Sequence, residues 1–206
     1  MMEKKISSAV VRRMPRYYRH LTELKGEGVE RISSEALAGK MGLTASQVRQ
    51  DFNCFGGFGQ QGYGYNVDTL LRSIAAILHI DQGHTAVLIG VGNLGRALLR
   101  NFRFARYGFT VIGAFDPSPQ QIGRTIGDSV VLPLDGLESF VKEKSPDVAI
   151  LTLPGGVARE MAASLVSWGI RGIWNFTNID LHLEVSDVPV ENVHFSESLL
   201  VLSYKL

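Results

Sequence analysis

The sequence is poor in cysteine and in long apolar segments. Its 206 residues include one cysteine, Cys54, so an internal disulfide is impossible, and a single thiol fits a reducing compartment. No apolar run reaches membrane length, and the N-terminal stretch MMEKKISSAVVRRMP lacks the apolar core of a signal peptide. These absences predict a soluble, cytoplasmic protein with no membrane partner, and we also expect no bound metal.

The sequence has little net charge, but its charges are unevenly distributed. The net charge of the chain is +1. Residues 1–65 hold ten Lys and Arg against six Asp and Glu, a net charge of +4, whereas residues 66–206 have a net charge of −3. A basic N-terminal part indicates a polyanionic partner, although charge alone favours the alternative of a solvated basic face.

A glycine-rich turn follows an apolar run of strand length at residues 85–90. Residues 96–106 then have apolar positions at helical spacing, and a second apolar run, Phe109–Phe115, ends in Asp116, 21 residues after Gly95. The order of strand, G-x-G-x-x-G, helix, strand and acid is the fingerprint of a dinucleotide-binding fold. The turn itself comprises Gly90, Val91, Gly92, Asn93, Leu94 and Gly95.

The fingerprint predicts a role for each of its parts. Gly90 permits the tight turn, Gly92 lets the backbone approach the cofactor diphosphate, and Gly95 lets the helix pack close to the strand. Asp116 would accept hydrogen bonds from the adenosine ribose and would repel a 2′-phosphate. We therefore predict NAD⁺ and NADH as the ligands; a purely structural glycine turn is the alternative.

The rest of the C-terminal part continues the alternation of strands and helices. Val148–Leu153 and Gly172–Phe176 are apolar runs of strand length, and Ala158–Trp168 has a helical pattern. This alternation predicts an α/β fold with a doubly wound parallel sheet of the Rossmann type. Ligands in such sheets bind beyond the carboxyl ends of the strands, so Pro154 and Asn175 are expected near the nicotinamide.

No substrate domain is visible. About thirty residues follow Phe176, and their histidines are His182, in an expected exposed loop, and His194, in a short strand before a final helix. Neither has a partner carboxylate at a recognisable spacing for acid–base catalysis. We therefore predict a protein that is not an enzyme. The alternative is a small NAD-dependent oxidoreductase with an N-terminal interaction module.

The N-terminal part has the pattern of a helix-turn-helix. We predict helices over residues 15–24 and over Ser34–Met41, the second capped by Ser33 and ended by Gly42. Thr44 and Gln47 form a capping box that opens a third helix. On that helix Ala45, Val48 and Phe52 share an apolar face, and the opposite face carries Ser46, Arg49, Gln50 and Asn53. Such side chains can read base edges, although a small helical subdomain with a polar surface is the alternative.

A hairpin signal follows this third helix. Short aromatic-containing runs flank Gly59-Gln60-Gln61-Gly62, which predicts a wing beside the recognition helix. Residues 67–79 then have the pattern of a connecting helix, and residues 80–84 form a boundary. A winged helix with a basic N-terminus favours DNA binding.

The sequence resembles the Rex family, the bacterial redox-sensing transcriptional repressors. The resemblance covers nearly the whole chain and is carried by RRMPRYYRHL, SSEALAGKMGLTASQVRQDFNCFGGFG, GYGYNV, VLIGVGNLGRAL, GAFDPSPQQIGR and VENVHFSESLL. It implies a winged-helix domain at residues 1–80, an NAD(H)-binding Rossmann domain at 81–195 and a dimerisation helix at 196–206 that is swapped in a homodimer. Family members bind palindromic operator DNA when free or NAD⁺-bound and release it with NADH. A regulator that reads another nucleotide remains a further alternative.

The resemblance and the residue patterns together give a set of expected contact residues. By resemblance Phe195 joins Pro154 and Asn175 at the nicotinamide end of the cofactor site. The expected DNA-binding residues are Arg12, Arg16, Thr44, Ser46, Gln47, Arg49, Gln50, Asn53, Gln60 and Gln61.

Three features depart from the family pattern. The wing carries Gln60 and Gln61 where basic residues are usual, and Gln50 stands where Lys is frequent. Fewer phosphate contacts predict weaker, less salt-sensitive DNA binding. Asn101 and His194 occupy the positions of a Tyr–Asp pair that some members use in switching.

Overall fold

The computed structural model describes residues 6–58, 63–183 and 187–206. The chain divides into two compact units between Asp81 and Gln82, each with its own hydrophobic core. Within the described residues, no helix is long and apolar enough to cross a membrane.

In its described residues, the N-terminal unit contains four helices and a two-stranded sheet. Its elements are α1 (Ser8–Gly26), β1 (Arg31–Ile32), α2 (Ser34–Met41), α3 (Ala45–Asn53), β2 (Tyr65–Asn66) and α4 (Val67–Ile77). The helix-turn-helix has the predicted ends: the Ser33 hydroxyl accepts the Ala36 N–H, and Gly42 ends α2 with a left-handed φ of 66°. The Thr44 hydroxyl accepts the Gln47 N–H and so begins α3.

The first helix is longer than residues 15–24. It begins at Ser8 with Ser7 as its cap, and Pro15 lies inside it. An internal proline costs about 3 kcal/mol. The buried stripe that contains Val10, Met14 and Tyr17 offsets this cost, because each side chain is removed from water along one face. The burial pattern therefore determines the helix start, and the proline does not.

The predicted hairpin around residues 59–62 is wrong in its pairing. β2 pairs antiparallel with β1, and residues 54–58 form no strand. Phe55 and Phe58 pack against the core instead, with the ring of Phe58 edge-on to Phe52 at 5.7 Å. Burying these rings takes the segment out of strand pairing. Gln60 and Gln61 lie outside the described residues. The connecting helix, α4, ends at Ile77, before His79, which has a φ of 55°.

A buried carboxylate joins α3 to α1. Asp51 is 1% exposed, and its Oδ2 accepts hydrogen bonds from Arg13 Nε at 2.6 Å and Tyr17 Oη at 2.9 Å. Its Oδ1 accepts from Arg13 Nη2 at 2.7 Å and Gln47 Nε2 at 3.4 Å. A carboxylate held in this way tolerates burial because each oxygen has compensating donors.

The C-terminal unit is built on a seven-stranded sheet. Its elements are β3 (His84–Ile89), α5 (Asn93–Asn101), β4 (Phe109–Asp116), β5 (Thr125–Ile126), β6 (Ser129–Pro133), α6 (Leu137–Lys144), β7 (Val148–Leu151), α7 (Gly155–Ser167), β8 (Gly172–Asn175), β9 (Val190–Asn192) and α8 (Phe195–Lys205). The strand order is β5-β6-β4-β3-β7-β8-β9, and all neighbours are parallel except β5 and β6. This order reverses between β3 and β7, where doubly wound folds form their ligand crevice.

Helices cover both faces of the sheet. One core contains Phe115, Leu137 and Ala162, and the other contains Leu88 and Ile150 with Leu98 and other partly buried side chains against them. The strands predicted from apolar runs are confirmed, although β7 and β8 end at Leu151 and Asn175, before the predicted ends at Leu153 and Phe176. His194, predicted in a short strand, is instead the N-cap of α8.

Two predicted helices have different bounds. The helix after the glycine turn begins at Asn93 instead of residue 96 and ends at Asn101, because Phe102 is extended and Phe104–Tyr107 form a separate 3₁₀ turn. Ala97, one of the apolar residues at helical spacing in this stretch, is exposed. The helix expected from Ala158 begins at Gly155, directly after Pro154. In both cases glycines lie in the first helical turn, where sequence pattern alone does not distinguish turn from helix.

Acid unfolding tests the Asp51 network. Burial opposes ionisation of Asp51, but hydrogen bonds from Arg13, Tyr17 and Gln47 outweigh it and hold the pKa of Asp51 below its ordinary value. With an unfolded pKa of about 3.9, the network stabilises the unit above roughly pH 4, and this contribution is lost as the pH falls through the lower folded pKa. We expect Asp51→Asn to lower the Tm near neutral pH by about 4–8 °C, or ~1 kcal/mol, and to flatten the loss of stability in acid.

Circular dichroism melts of the full chain across this pH range measure the effect. Asp68→Asn is the matched control, because Asp68 pairs with Lys25 in the same unit but is exposed. A variant at position 51 that keeps the wild-type acid profile would contradict the assignment.

Candidate functional site

The glycine turn is constrained by backbone contacts. Gly90 has a φ of 96°, and a Cβ on it would lie 2.7 Å from the carbonyl oxygen of Thr152. A Cβ on Gly95 would collide with the carbonyl oxygen of Gly90. Neither position therefore accepts a side chain without moving backbone. The Thr152 hydroxyl donates to the Gly90 carbonyl oxygen at 2.5 Å, which joins the end of β7 to the turn.

The middle glycine faces open space. No heavy atom lies within 4 Å of a Cβ built on Gly92, which is the N-cap of α5, and no described side chain caps that helix. The first backbone N–H groups of α5 are therefore available to a ligand, and a helix N-terminus favours an anion. Open space beside free amides fits a dinucleotide diphosphate. Arg96 folds back over this end, with Nη2 2.6 Å from Asn93 Oδ1.

Asp116 lies at the end of β4 beside the turn. It is buried, and its Oδ2 accepts the Val91 N–H at 2.6 Å while Oδ1 accepts the Ser118 N–H at 2.8 Å. The carboxylate therefore holds the glycine turn at the end of β4. Its second lone pairs remain available, because each carboxylate oxygen can accept more than one hydrogen bond.

Asn175, expected beside the nicotinamide, is fully buried and internally bonded. Its Nδ2 donates to the Ile179 carbonyl at 2.8 Å and to Asn192 Oδ1 at 2.7 Å. Its Oδ1 accepts from the backbone N–H and the hydroxyl of Thr177 at 3.0 and 2.6 Å. Both donors are in use, so Asn175 shapes the segment after β8 and ties it to β9. Pro154, at the N-cap of α7, borders the same edge of the sheet.

His194 has a partner carboxylate that the sequence spacing did not reveal. Its Nε2 lies 2.8 Å from Asp180 Oδ1, fourteen residues earlier. The hydrogen bond to His194 lowers the pKa of Asp180. Asp180 is mostly exposed, as is His182, and surface pairs of this kind contribute little stability. Asn101 is exposed at the end of α5.

Phe195 begins α8 and is 64% exposed. Its ring centroid lies 6.3 Å from that of Phe176, which directly follows β8. Phe195 is therefore at the carboxyl edge of the sheet, on the same side as Pro154 and the end of β8.

The predicted recognition helix has two distinct faces. Val48 and Phe52 are buried, whereas Ser46, Gln50 and Asn53 are exposed. Arg49 is also exposed, and its Nη1 donates to the Ser34 hydroxyl at 3.0 Å. The Thr44 hydroxyl is occupied as the cap, and Gln47 is half-buried. Ala45, expected on the core face, is only partly buried.

Two arginines of α1 were expected to contact DNA. Arg12 is exposed. Arg16 Nη2 donates to the Met41 carbonyl at 2.8 Å, so this guanidinium joins α1 to the end of α2.

The sequence pattern did not identify Asp51 as a functional residue. The available signal was an acidic residue three positions after Val48, on the core side of α3.

The chain matches two family models. Residues 5–53 match "Putative DNA-binding protein N-terminus", and residues 81–179 match "CoA binding domain".

Relatives match over nearly the full length. The chain is 50% identical to the redox-sensing transcriptional repressor Rex of Caldicellulosiruptor bescii over 99% of this chain and 94% of the relative. It is 47% identical to Rex of Clostridium perfringens strain 13 over 100% and 97%.

Solved structures agree with the sequence matches. The structure of RSP in complex with β-NAD⁺ and operator DNA has a TM-score of 0.90 and 47% identity over 97% of this chain and 92% of that one. RSP in complex with β-NADH has a TM-score of 0.90 and 44% identity over 98% and 94%. The glycine turn, the helix-turn-helix and this full-length similarity place the chain in the Rex family of redox-sensing transcriptional repressors.

Proposed function

We propose that this protein is a transcriptional repressor that binds operator DNA through its N-terminal unit and releases it when NADH binds the C-terminal unit. The observation that carries the proposal is the similarity, over 97% of the chain, to a repressor solved with both NAD⁺ and operator DNA. The relatives are named as repressors, which favours a signalling role for the dinucleotide over the oxidoreductase alternative. Both DNA and NADH are found in the bacterial cytoplasm, so we infer that it acts there.

The cofactor contacts follow from the geometry of the turn. The amides at the start of α5 would bind the diphosphate above Gly92, and Asp116 would accept from the adenosine ribose. When bound, the nicotinamide supplies only a redox-dependent charge and ring shape. Residues 90–95 and Asp116 face groups common to NAD⁺ and NADH, so they supply affinity without discrimination.

Discrimination then requires residues at the nicotinamide end. Pro154 and Phe195 are at the carboxyl edge of the sheet, and Asn175 holds the segment between them. An apolar wall there favours the neutral reduced ring, because burial of an unpaired cation is costly.

The DNA interface rests on the exposed face of α3. Ser46, Arg49, Gln50 and Asn53 can reach base edges, with Gln47 at its margin. Arg12 is free for phosphate contact, whereas Arg16 and Thr44 would act mainly by holding α2 and α3 in place. Gln60 and Gln61 stay expected wing contacts.

Two apolar surfaces of the C-terminal unit support a homodimer. Five side chains of α8 are 53–92% exposed: Leu199, Leu200, Val201, Leu202 and Tyr204. An apolar groove of about 470 Å³ is bordered by β7, β8 and β9 and lined by aromatic side chains including Phe102 and Trp174. Exposed apolar surface of this extent marks an interaction site. The swapped helix that the resemblance implies would bury both surfaces, with α8 of one protomer in the groove of its partner.

A gel-retention assay tests the proposed function. The probe is the palindromic duplex that the wild-type protein selects from a random-sequence library. Retention with NAD⁺ and release with NADH are expected. Failure to select a duplex, equal retention with both dinucleotides, or transfer of hydride from NADH to a small carbonyl compound would contradict it.

Arg49 is the first residue to test in the DNA interface. Its guanidinium is exposed on the polar face of α3, so Arg49→Ala should cost about 1–3 kcal/mol of specific binding if it contacts a base. Ser34→Ala is the control, because it removes the hydrogen bond to Arg49 and keeps the guanidinium. Unchanged operator affinity of a folded Arg49→Ala protein would count against the role.

Asp116 is expected to select NADH over NADPH. Replacement by Ala would leave both the Val91 and the Ser118 N–H without an acceptor, whereas Asn keeps one acceptor oxygen, so Asp116→Asn is the more conservative change. Loss of the charge should narrow the preference for NADH over NADPH about tenfold, or ~1.4 kcal/mol. Calorimetric titration with both cofactors measures the ratio. Equal affinity of the wild-type protein for NADPH and NADH would show that the role is wrong.

Phe195 is expected to carry the redox signal. Phe195→Ala should retain the fold and operator binding but lose NADH-driven release, because the apolar contact to the reduced ring disappears. Tyr204→Ala, which truncates another exposed aromatic of α8, is the control. If the Phe195 variant leaves the operator at wild-type NADH concentrations, the discriminating contact lies elsewhere, and Asn101 and His194 become the next positions to test.

A further inference from the structure

The recognition helix carries an acidic side chain that faces away from DNA. Asp51 is 1% exposed and lies on the side of α3 that packs on α1. Its two oxygens accept four hydrogen bonds, from Arg13, Tyr17 and Gln47. An acid in this position cannot contact phosphate or bases directly, so any effect on DNA must pass through its partners.

The first effect concerns the rotation of α3 about its own axis. The two bonds from Arg13 form a planar fork, which fixes direction as well as distance. Tyr17 adds a third bond from the next turn of α1. Burial, then the hydrogen bond to Asp51, raises the pKa of Tyr17, so the phenol remains a donor. Rotation of α3 would break all three bonds, so Asp51 fixes the direction of the polar face together with the buried side chains of Val48 and Phe52.

The second effect concerns the side-chain amide of Gln47. An ionised carboxylate is only an acceptor, so Gln47 must turn its NH₂ group, and not its oxygen, toward Asp51. One N–H is used in this contact. When the N–H trans to Oε1 makes this contact, the N–H cis to Oε1 and Oε1 itself form the other edge of the amide. That edge offers one donor and one acceptor, the pattern that pairs with N7 and N6 of adenine.

We propose that Asp51 is a positioning residue for base recognition, which holds α3 in register and orients the Gln47 amide to read an adenine in the major groove. The proposal rests on the proposed function, because it requires that α3 binds operator DNA. It assigns adenine specificity to Gln47 and leaves guanine contacts to Arg49. A purely structural Asp51 would affect the amount of folded protein and leave base preference unchanged.

The test replaces single adenines of the selected palindromic duplex by 7-deazaadenine, which lacks N7 but keeps N6. Full-length wild-type protein, Gln47→Ala, Asp51→Asn and Asp68→Asn are titrated against each duplex and against a random-sequence duplex. NADH titration and thermal melts establish that each protein is folded at the assay temperature. Asp68→Asn removes the carboxylate of another ion pair in the same unit, so it controls for loss of charge.

The proposal requires one adenine in each half-site whose N7 accepts a hydrogen bond from Gln47. Its removal should weaken wild-type and Asp68→Asn binding by about 5- to 150-fold. It should have little effect on Gln47→Ala or Asp51→Asn. The ratio of operator to random-duplex affinity should fall about tenfold or more in Asp51→Asn.

Two results would overturn the proposal. One is an Asp51→Asn protein that keeps the wild-type affinity ratio and the wild-type response to 7-deazaadenine, even if it melts earlier. The other is a wild-type protein that responds to no single N7 removal. If Asp51→Asn does not fold, Tyr17→Phe replaces it, because it removes one bond to Asp51 and keeps the ring. A wild-type affinity ratio in that variant would equally overturn the proposal. Failure of the proposed function is distinguishable, since wild-type protein would then select no duplex or keep it with NADH.

Discussion

The close approach of backbone at Gly90 is the constraint on which the C-terminal unit depends. A positive φ at Gly90 turns the chain out of β3, and the absence of a side chain lets the Thr152 carbonyl lie against it. Because Gly95 also lacks a side chain, the first turn of α5 packs directly against the carbonyl oxygen of Gly90. The result is a helix N-terminus held at the point where the strand order reverses, which is where an anionic ligand is best stabilised. Asp116 completes the turn by accepting the Val91 N–H, so one carboxylate links the second strand to the loop of the first.

At the expected nicotinamide end of the site, hydrogen bonds of a side-chain amide hold the backbone in place, whereas glycines allow close backbone packing at the other end. Asn175 uses its donors on Ile179 and Asn192, and its oxygen on Thr177, so residues 175–179 and the end of β9 are parts of one hydrogen-bonded unit. β9 leads directly to His194 and Phe195, and His194 bonds back to Asp180 in the same segment. A ligand that moves this segment therefore acts on the first turn of α8 through a short, continuous path. At the glycine end, the described contacts join the turn to Asp116 at the end of β4 and to Thr152 after β7.

Sequence reasoning succeeded where the determining contacts are local. Ser33, Gly42 and Thr44 specify helix ends through bonds to residues three or four positions away. The glycine spacing identified the turn, although Asp116 and Thr152, which hold it, are distant in the sequence. It failed where partners are distant. Asp51 bonds to a residue 38 positions earlier, and Asn175 bonds to one 17 positions later. The predicted strand pairing was wrong for a related reason, because Phe58 is partly buried against Phe52 and cannot be recognised as core-facing from its own neighbourhood.

Asp51 and Asp116 each help to fix the direction of a helix, but the two units do this through different kinds of contact. Each unit must hold a ligand-facing helix in a fixed direction while leaving its outer groups free. In the N-terminal unit a side-chain network on the inner face of α3 achieves this, and the exposed face keeps its polar groups. In the C-terminal unit backbone contacts at glycine and a carboxylate–amide bond hold α5, and its first N–H groups stay open. A rigid common site supplies affinity without choosing between oxidised and reduced cofactor. A ligand shifts a conformational equilibrium only by its differential affinity for the two states. Discrimination between NAD⁺ and NADH must therefore come from the residues that follow β7 and β8, at the expected nicotinamide end of the site.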